Sequence, residues 1–367
     1  MEDRMALEIR SWNHMYLNAL TQLWQNRQGE PRPLLPDANH IWDWLSGRVA
    51  GNTFFDREGL LLAFNADEEL VGMIHAGFPP TQNLLDPILT PDAADLTARA
   101  ADQTTQKRGI IMMMIVKESL EEKSRREVIQ KLLQEIEVFL KGRNVRTIYG
   151  GAMRPQYNPP FWRGLCGAGD AWGIPDSDEL AQEVFSKAGY QVIKRTAVWR
   201  RSLATQLLTP PEVTQAQQSL SLYFNFEVTP QDWKYTTSWE EVTANQETSP
   251  LEFAMRTPDG QTLGRLVIRQ IAEVRDGVQN NLFAMHRIEC FPPQGSPPSA
   301  RQKMILVLWD KALEKLCQMR ENSEISQDCE VEWIMCNDQT FASQINAAQL
   351  FGFEIVKQGT ILRREFR

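Results

Sequence analysis

Cysteine and histidine are scarce in this chain, and neither is spaced for metal or disulfide chemistry. The five cysteines, Cys166, Cys290, Cys317, Cys329 and Cys336, are an odd number and include no CxxC pair. A zinc site or a disulfide framework is therefore not expected, and free thiols in a reducing cytoplasm are. His14, His40, His75 and His286 stand far apart, none at metal-ligand spacing, so no metal is expected. No stretch is apolar enough to span a bilayer, and the opening MEDRMALEIRSW lacks the apolar core of a signal peptide. Positive charge is in deficit: 39 Lys and Arg against 47 Asp and Glu give a net charge of −8 and a pI near 5.3. That balance speaks against a nucleic-acid partner, although a local basic patch for a polyanionic cofactor remains compatible with it. There is no GxSxG elbow with a histidine to serve it, which removes an α/β hydrolase.

A long repeat is present. Residues 189–201 read GYQVIKRTAVWRR and residues 352–364 read GFEIVKQGTILRR, an offset of 163 at both ends. Each copy runs glycine, aromatic, polar residue, two β-branched aliphatics and lysine, and closes on Arg200–Arg201 or Arg363–Arg364. A unit of this length is too long for a solenoid and fits a duplicated domain. At 367 residues the chain has room for two cores. The expected division is a first domain over 1–203, a linker over 204–219 and a second domain over 220–367.

Each half reads as the same series. In the first, LEIRSW is a strand, and MYLNALTQLWQN and HIWDWLSGRV are helices. LLLAFNADEELVGMIHAGF is a hairpin, and RGIIMMMIV is a buried central strand rather than a methionine metal site. Val128, Ile129, Leu132, Leu133, Ile136 and Leu140 recur at helical spacing, so residues 124–142 form an amphipathic helix. RTIYGGAM is a strand, and DSDELAQEVFSKAG a helix with an Asp or Ser N-cap and a closing glycine. In the second half LEFAMRTPDGQTLGRLVIRQI is a hairpin turning at Pro-Asp-Gly. NLFAMHRIEC and EVEWIMC are strands, and RQKMILVLWDKALEKLCQM and SQINAAQLF helices. The repeated phrase closes each half as two strands. The class is α/β of the α+β type: two domains, each a mixed, mainly antiparallel sheet flanked by helices. Trp42, Trp44, Trp199, Trp309 and Trp333 are expected to fill cores.

This order, with a helix running into Gly-Tyr or Gly-Phe and a final strand pair, resembles the GNAT N-acetyltransferase superfamily, once per half. The family's helix pattern Asn-x-x-Ala-x-x-Leu-Tyr-x-x-x-Gly-Phe falls on Asp178, Ala181, Val184, Phe185, Gly189 and Tyr190; in the second half only Gly352 and Phe353 match. The resemblance implies acetyl-CoA lying where the fourth and fifth strands part. In the first half that means the strand end Ile115, Val116 and Lys117, and Ser124, Arg125 and Arg126 facing the phosphates. The family's loop, Arg/Gln-x-x-Gly-x-Gly/Ala, lets backbone N–H groups approach a pyrophosphate at a helix start. Here Glu127 and Ile129 stand at its small positions in the first half, and Lys303 and Ile305 in the second. Arg125, Arg126, Arg301 and Lys303 would supply compensating charge. The first half is the preferred donor site, because Pro297 and Pro298 interrupt the other loop.

The family's proton donor, a tyrosine, is replaced by Phe185 and Ala348. Glu118 and Glu289, at the ends of the fourth strands, are the candidate catalytic bases the resemblance offers. The glycines of GLCGAGDAWG (164–173) follow prolines rather than a strand and read as turns, not as a dinucleotide fingerprint. Around them Tyr149, Tyr157, Phe161, Trp162 and Trp172 either line an apolar pocket or cover a sheet edge. Two functions follow: transfer of an acyl group from acetyl-CoA to a small-molecule or peptide amine, or a GNAT-fold binding module without catalysis. Neither a nucleic acid nor a membrane is an expected partner.

Overall fold

The structure, a computed structural model, describes residues 6–25, 32–33, 57–78, 107–151, 173–204, 209–221, 227–232, 251–275, 278–297, 299–337 and 341–366. Its contacts form two compact units, Met1–Thr196 with Lys357–Arg367, and Ala197–Val356. The first unit holds β1 (Glu8–Ser11), α1 (Leu17–Gln25), β2 (Arg32–Pro33), β3 (Leu60–Phe64), β4 (Leu70–Gly77), β5 (Lys107–Val116), α2 (Glu122–Gly142), β6 (Val145–Gly150), β7 (Ile174–Pro175) and α3 (Glu179–Lys187). Strand β8 (Gln191–Ser202) carries the chain into the second unit, which holds α4 (Pro211–Ser221), β9 (Glu227–Asp232), β10 (Leu251–Arg256), β11 (Thr262–Arg275), β12 (Val278–Cys290), α5 (Ala300–Glu321), β13 (Glu330–Cys336) and α6 (Ala342–Leu350). Strand β14 (Glu354–Glu365) returns to the first unit.

Strand order is β1-β3-β4-β5-β6-β14 in the first unit and β9-β10-β11-β12-β13-β8 in the second. The senses match as well: antiparallel steps lead to one parallel step, β5–β6 or β12–β13. The duplication inferred from the repeated phrase is thus a duplication of sheet plan. Two expectations need correcting. Each copy of the phrase is one continuous strand, β8 or β14, because neither contains a residue pair that turns the chain. Each copy also completes the unit that the other copy does not end: Lys357–Arg367 belongs to the first unit, and Ala197–Ser202 to the second. The division at 203 and 220 is therefore not the one the contacts draw.

Local chemistry explains the elements that were expected. The Asn65 side chain accepts from the Asp67 and Glu69 N–H groups, at 3.1 and 2.9 Å, and closes the β3–β4 turn. Gly260, at φ +87°, closes the β10–β11 turn. Asp178 caps α3 by accepting from the Ala181 N–H at 3.1 Å, and Gly189, at φ +90°, ends it. The six apolar residues of the amphipathic stretch are all buried under α2. Trp199, Trp309 and Trp333 are core residues of the second unit, whereas Trp42, Trp44 and the HIWDWLSGRV stretch lie outside the described residues.

The expected linker is also corrected. Residues 211–221 form α4, which buries Val213, Ala216 and Leu220 in the second core. Proline suits a first helical turn, and that spacing makes an apolar stripe. With α4 on it, α5 is buried continuously from Met304 to Asp310. Asp310 accepts from Thr209 Oγ1 at 3.1 Å and Gln217 Nε2 at 3.2 Å, and burial raises its pKa. A raised carboxyl pKa favours the fold at low pH, and that contribution is lost as pH rises through the folded value. Asp310→Asn, which removes the charge and keeps an acceptor, is expected to raise the melting temperature at pH 8 relative to the parent. The gain should shrink toward pH 4; a variant destabilised equally at both pH values would contradict this account.

Two glycines bound the stretch between β6 and β7. Gly151 and Gly173 have φ +95° and +87°. A Cβ on Gly173 would lie 2.1 Å from the Thr360 carbonyl oxygen, and one on Gly151 would lie 2.3 Å from the Gly173 Cα. Gly173→Ala therefore adds backbone strain to a forced shift of β14, and about 2–4 kcal/mol of stability should be lost. Urea unfolding of the variant would measure it; an unchanged midpoint would mean that β14 gives way without cost.

Candidate functional site

In each unit the parallel strands part. Pairing of β5 with β6 ends at Ile111–Gly150, while β5 runs on to Val116. Pairing of β12 with β13 ends at Ala284–Glu332, while β12 continues to Cys290 and β13 to Cys336. An extra residue sits near each divergence. His75 and Ala76 face Met113 and Ile111, leaving Met112 as a bulge; Val267 and Ile268 face Arg287 and Met285, leaving His286. A bulge bends one strand away from its neighbour, which is how a sheet opens locally. Each fork leads to a helix start, α2 in the first unit and α5 in the second.

The two forks differ in lining and charge. In the first, Met112, Met113, Met114 and Ile115 are at most 3% exposed. Val116 pairs with Gly72, and the Lys117 N–H donates to Val71 O at 2.9 Å. The Lys117 ammonium is ion-paired with Glu69. At α2, Arg126 lies 2.9 Å from Glu122 and 2.6 Å from Glu183. Arg126, with Lys187, pulls the Glu183 pKa down to about 2. Ser124 and Arg125 are half-buried, and Arg125 makes no ion pair among the described residues. Glu118, Glu121, Glu122 and Glu127 share this turn and helix start. Of the cations expected around the donor here, Lys117 at the strand end and Arg126 at the helix start are thus engaged by carboxylates.

In the second fork Met285, Ile288 and Glu289 are half-buried on β12. The first turn of α5 has no acidic residue, and Arg301 is exposed there. Lys303 donates to Ser219 Oγ on α4. Gly295, at φ +87°, lies in the connection with open space around its Cα. Glu289 meets the Arg265 Nε at 2.7 Å across the β11–β12 ladder, with about a quarter of each side chain exposed. Phe291, two residues on, is 55% exposed, and its N–H is held by Leu263 O at 2.6 Å. Arg265 and Phe291 were not singled out from the sequence; the hairpin register that puts Arg265 opposite Glu289 was the available signal.

Other expected positions are accounted for. Phe185 is fully buried, packed at 4.9 Å on Tyr190 and closing on Gly150. Burial, then Glu137, drives the Tyr190 pKa upward. Ala348 is buried in the second core. Neither Phe185 nor Ala348 can donate a proton. Cys290, Cys317, Cys329 and Cys336 are free thiols, and burial pushes Cys290 up to about 12. Tyr149 is buried in β6. Cys166, Tyr157, Phe161, Trp162, Trp172 and the glycines Gly164, Gly167 and Gly169 lie outside the described residues.

No protein-family model matches the sequence, and no curated protein matches it. Solved structures do. A tandem GNAT protein from the clavulanic acid biosynthesis pathway superposes with TM-score 0.58 at 10% identity, covering 98% of each chain. A GCN5-related glucosamine N-acetyltransferase region of a fungal multi-domain β-N-acetylglucosaminidase gives 0.60 at 11% identity over 99% of this chain, which spans only 38% of that one. The Saccharomyces cerevisiae N-myristoyltransferase with bound myristoyl-CoA gives 0.52 at 11% identity, over 100% and 80% of the two chains. The strand plan repeated in both units accords with the match along a tandem protein. The chain is a tandem protein of the GNAT fold.

Proposed function

We propose that the protein transfers an acyl group from an acyl-CoA to an amine, with the donor held in the β12–β13 fork. The observation that carries this reading is the opening beyond Ala284–Glu332, where two diverging strands lead to a helix start free of acidic residues. Backbone N–H groups at such a start, with Arg301 beside them, suit a pyrophosphate. Bound there, the cofactor would supply an activated acyl thioester. Glu289, on the parted arm of β12, is placed to accept the proton an attacking amine must lose.

The placement in the first unit, with Ile115, Val116, Lys117, Ser124, Arg125 and Arg126 around the donor and Glu118 as base, remains a proposal with less support. Its strand arm is buried and its helix start carries Glu121 and Glu122. The second reading, a binding module without catalysis, draws on the absence of a proton donor at Phe185 and Ala348.

Calorimetry with acetyl-CoA and, separately, myristoyl-CoA separates these. One saturable site is expected per chain. Arg301→Glu should weaken it at least tenfold, since one charge-assisted contact is worth about 1.5–3 kcal/mol. Replacing Arg125 and Arg126 together by alanine should change it little. The reverse pattern moves the donor to the first unit, and no heat at millimolar concentration of either ligand removes the acyltransferase reading.

A further inference from the structure

The face of β11 and β12 opposite α5 carries a charged pair at the parted arm. A Cβ on Gly264 would contact the α5 residue Leu308 and the Cys290 sulfur, so those positions face the helix. Alternation along a strand then sends Arg265, Glu289 and Phe291 to the other face. Arg265 and Glu289 are directly opposed partners in the ladder, bonded at 2.7 Å through the guanidinium Nε. Ala254, the residue facing Arg265 from β10, adds no charge or bulk beyond a methyl group. Glu289 stands past the last β12–β13 pair, on the parted arm, and Phe291 follows on the same face with its ring in water and its N–H tied down. A carboxylate and a guanidinium are thus side by side on the parted arm, with an exposed aromatic residue two positions on.

We infer that the acceptor is a zwitterion, an apolar α-amino acid, whose ammonium meets Glu289, whose carboxylate meets the Arg265 guanidinium, and whose side chain lies on Phe291. The inference rests on the β12–β13 fork as donor site. An arginine presents five N–H donors in a planar fork that matches a carboxylate, and the bond to Glu289 through Nε engages only part of it. The ammonium and carboxylate of an α-amino acid are separated by a single carbon, so they can span two residues opposed on adjacent strands. An amine without a carboxylate would leave Arg265 unmatched. A partly exposed cross-strand ion pair contributes little to stability, so Arg265 can be replaced without unfolding the sheet.

The test measures binding and turnover separately. Phenylalanine, its methyl ester and phenethylamine are titrated by calorimetry into the full chain, with and without acetyl-CoA, alongside thiol release from acetyl-CoA. Phenylalanine should bind on the order of 10–100-fold more tightly than the other two, as the loss of a charge-assisted pair implies. Arg265→Met should erase that preference by weakening phenylalanine and not phenethylamine, and Arg265→Lys should restore part of it. Melting curves confirm that both variants are folded. Equal binding of the three compounds, no binding of any, or an equal loss for all in Arg265→Met overturns the inference. Zwitterion binding without acetyl-CoA heat or thiol release upholds the acceptor site and removes the acyltransferase reading instead.

Discussion

A chain that ends at Val356 is expected to lose the folding of its first unit, although everything removed lies at the far end of the sequence. Residues 357–366 supply that unit with the strand next to β6, paired Leu362–Gly150, Arg363–Tyr149, Arg364–Ile148 and Glu365–Thr147. They also pair with β7 at Gly359–Pro175 and Thr360–Ile174. Leu362 is buried in the first core, and Arg364 sits 2.6 Å from the nearly buried Glu137 and 5.9 Å from the Tyr190 ring. Cutting the strand away bares an edge, opens the core and leaves the nearly buried Glu137 with Lys141, at 3.7 Å, as its ion partner. Breaking a buried pair outright costs about 3–5 kcal/mol, and the loss of the closer of two partners is part of that. Set against a typical domain stability of about 5–15 kcal/mol, the sum removes most or all of it. Heteronuclear spectra of the shortened chain should lose dispersion for residues 107–151 and keep it for the second unit. A synthetic 357–367 peptide added in trans should restore it. Full dispersion without the peptide would show that β14 is dispensable.

Removing Glu332 should destabilise the second unit nearly as far. Its carboxylate is fully buried and accepts from Arg200 at 3.0 and 3.1 Å, with the Arg200 side chain only 4% exposed. Glu330, at 3.3 Å, is a poorer second partner on a more exposed strand end. Breaking a buried pair from one side costs about 3–5 kcal/mol, because the remaining ion is left in a poor solvent. For a unit of this size that amounts to on the order of 10 °C in melting temperature. Glu332→Ala should show this loss. Glu332→Leu combined with Arg200→Met should recover much of it, since both charges are then absent. If the double variant is no better than the single one, the pair is holding strand register rather than compensating burial.

Much of the architecture was legible in the residues, wherever the relevant physics is local. The helical spacing of Val128 through Leu140 predicts the face that α2 buries. Asp178 and Gly189 mark the ends of α3, and Asn65 and Gly260 the hairpin turns, because each satisfies a backbone need within four residues. The constant offset of the repeated phrase predicts two copies of one sheet plan, and both strand orders bear it out. The helix α4 was legible too, in Val213, Ala216 and Leu220, but the surrounding glutamines and prolines made a linker the simpler reading.

Tertiary structure alone decided which sheet each closing strand enters. The two copies share one residue pattern, an aliphatic at Val198 or Ile361 followed by the pair Arg200–Arg201 or Arg363–Arg364, so either would suit either sheet. The choice lies in distant partners: Glu332 for Arg200, the Phe351 carbonyl for Arg201 and Glu137 for Arg364. The candidate site follows the same rule. Glu289 could be picked as a strand-end carboxylate, but Arg265 became its neighbour only through the ladder. Arg126 looked available for phosphates, and Lys117 for the donor at the strand end, until the fold brought Glu183 and Glu69 to them. A sequence fixes which side chains carry charge, whereas the counter-charge each one meets is set by strands and helices that pack from far along the chain.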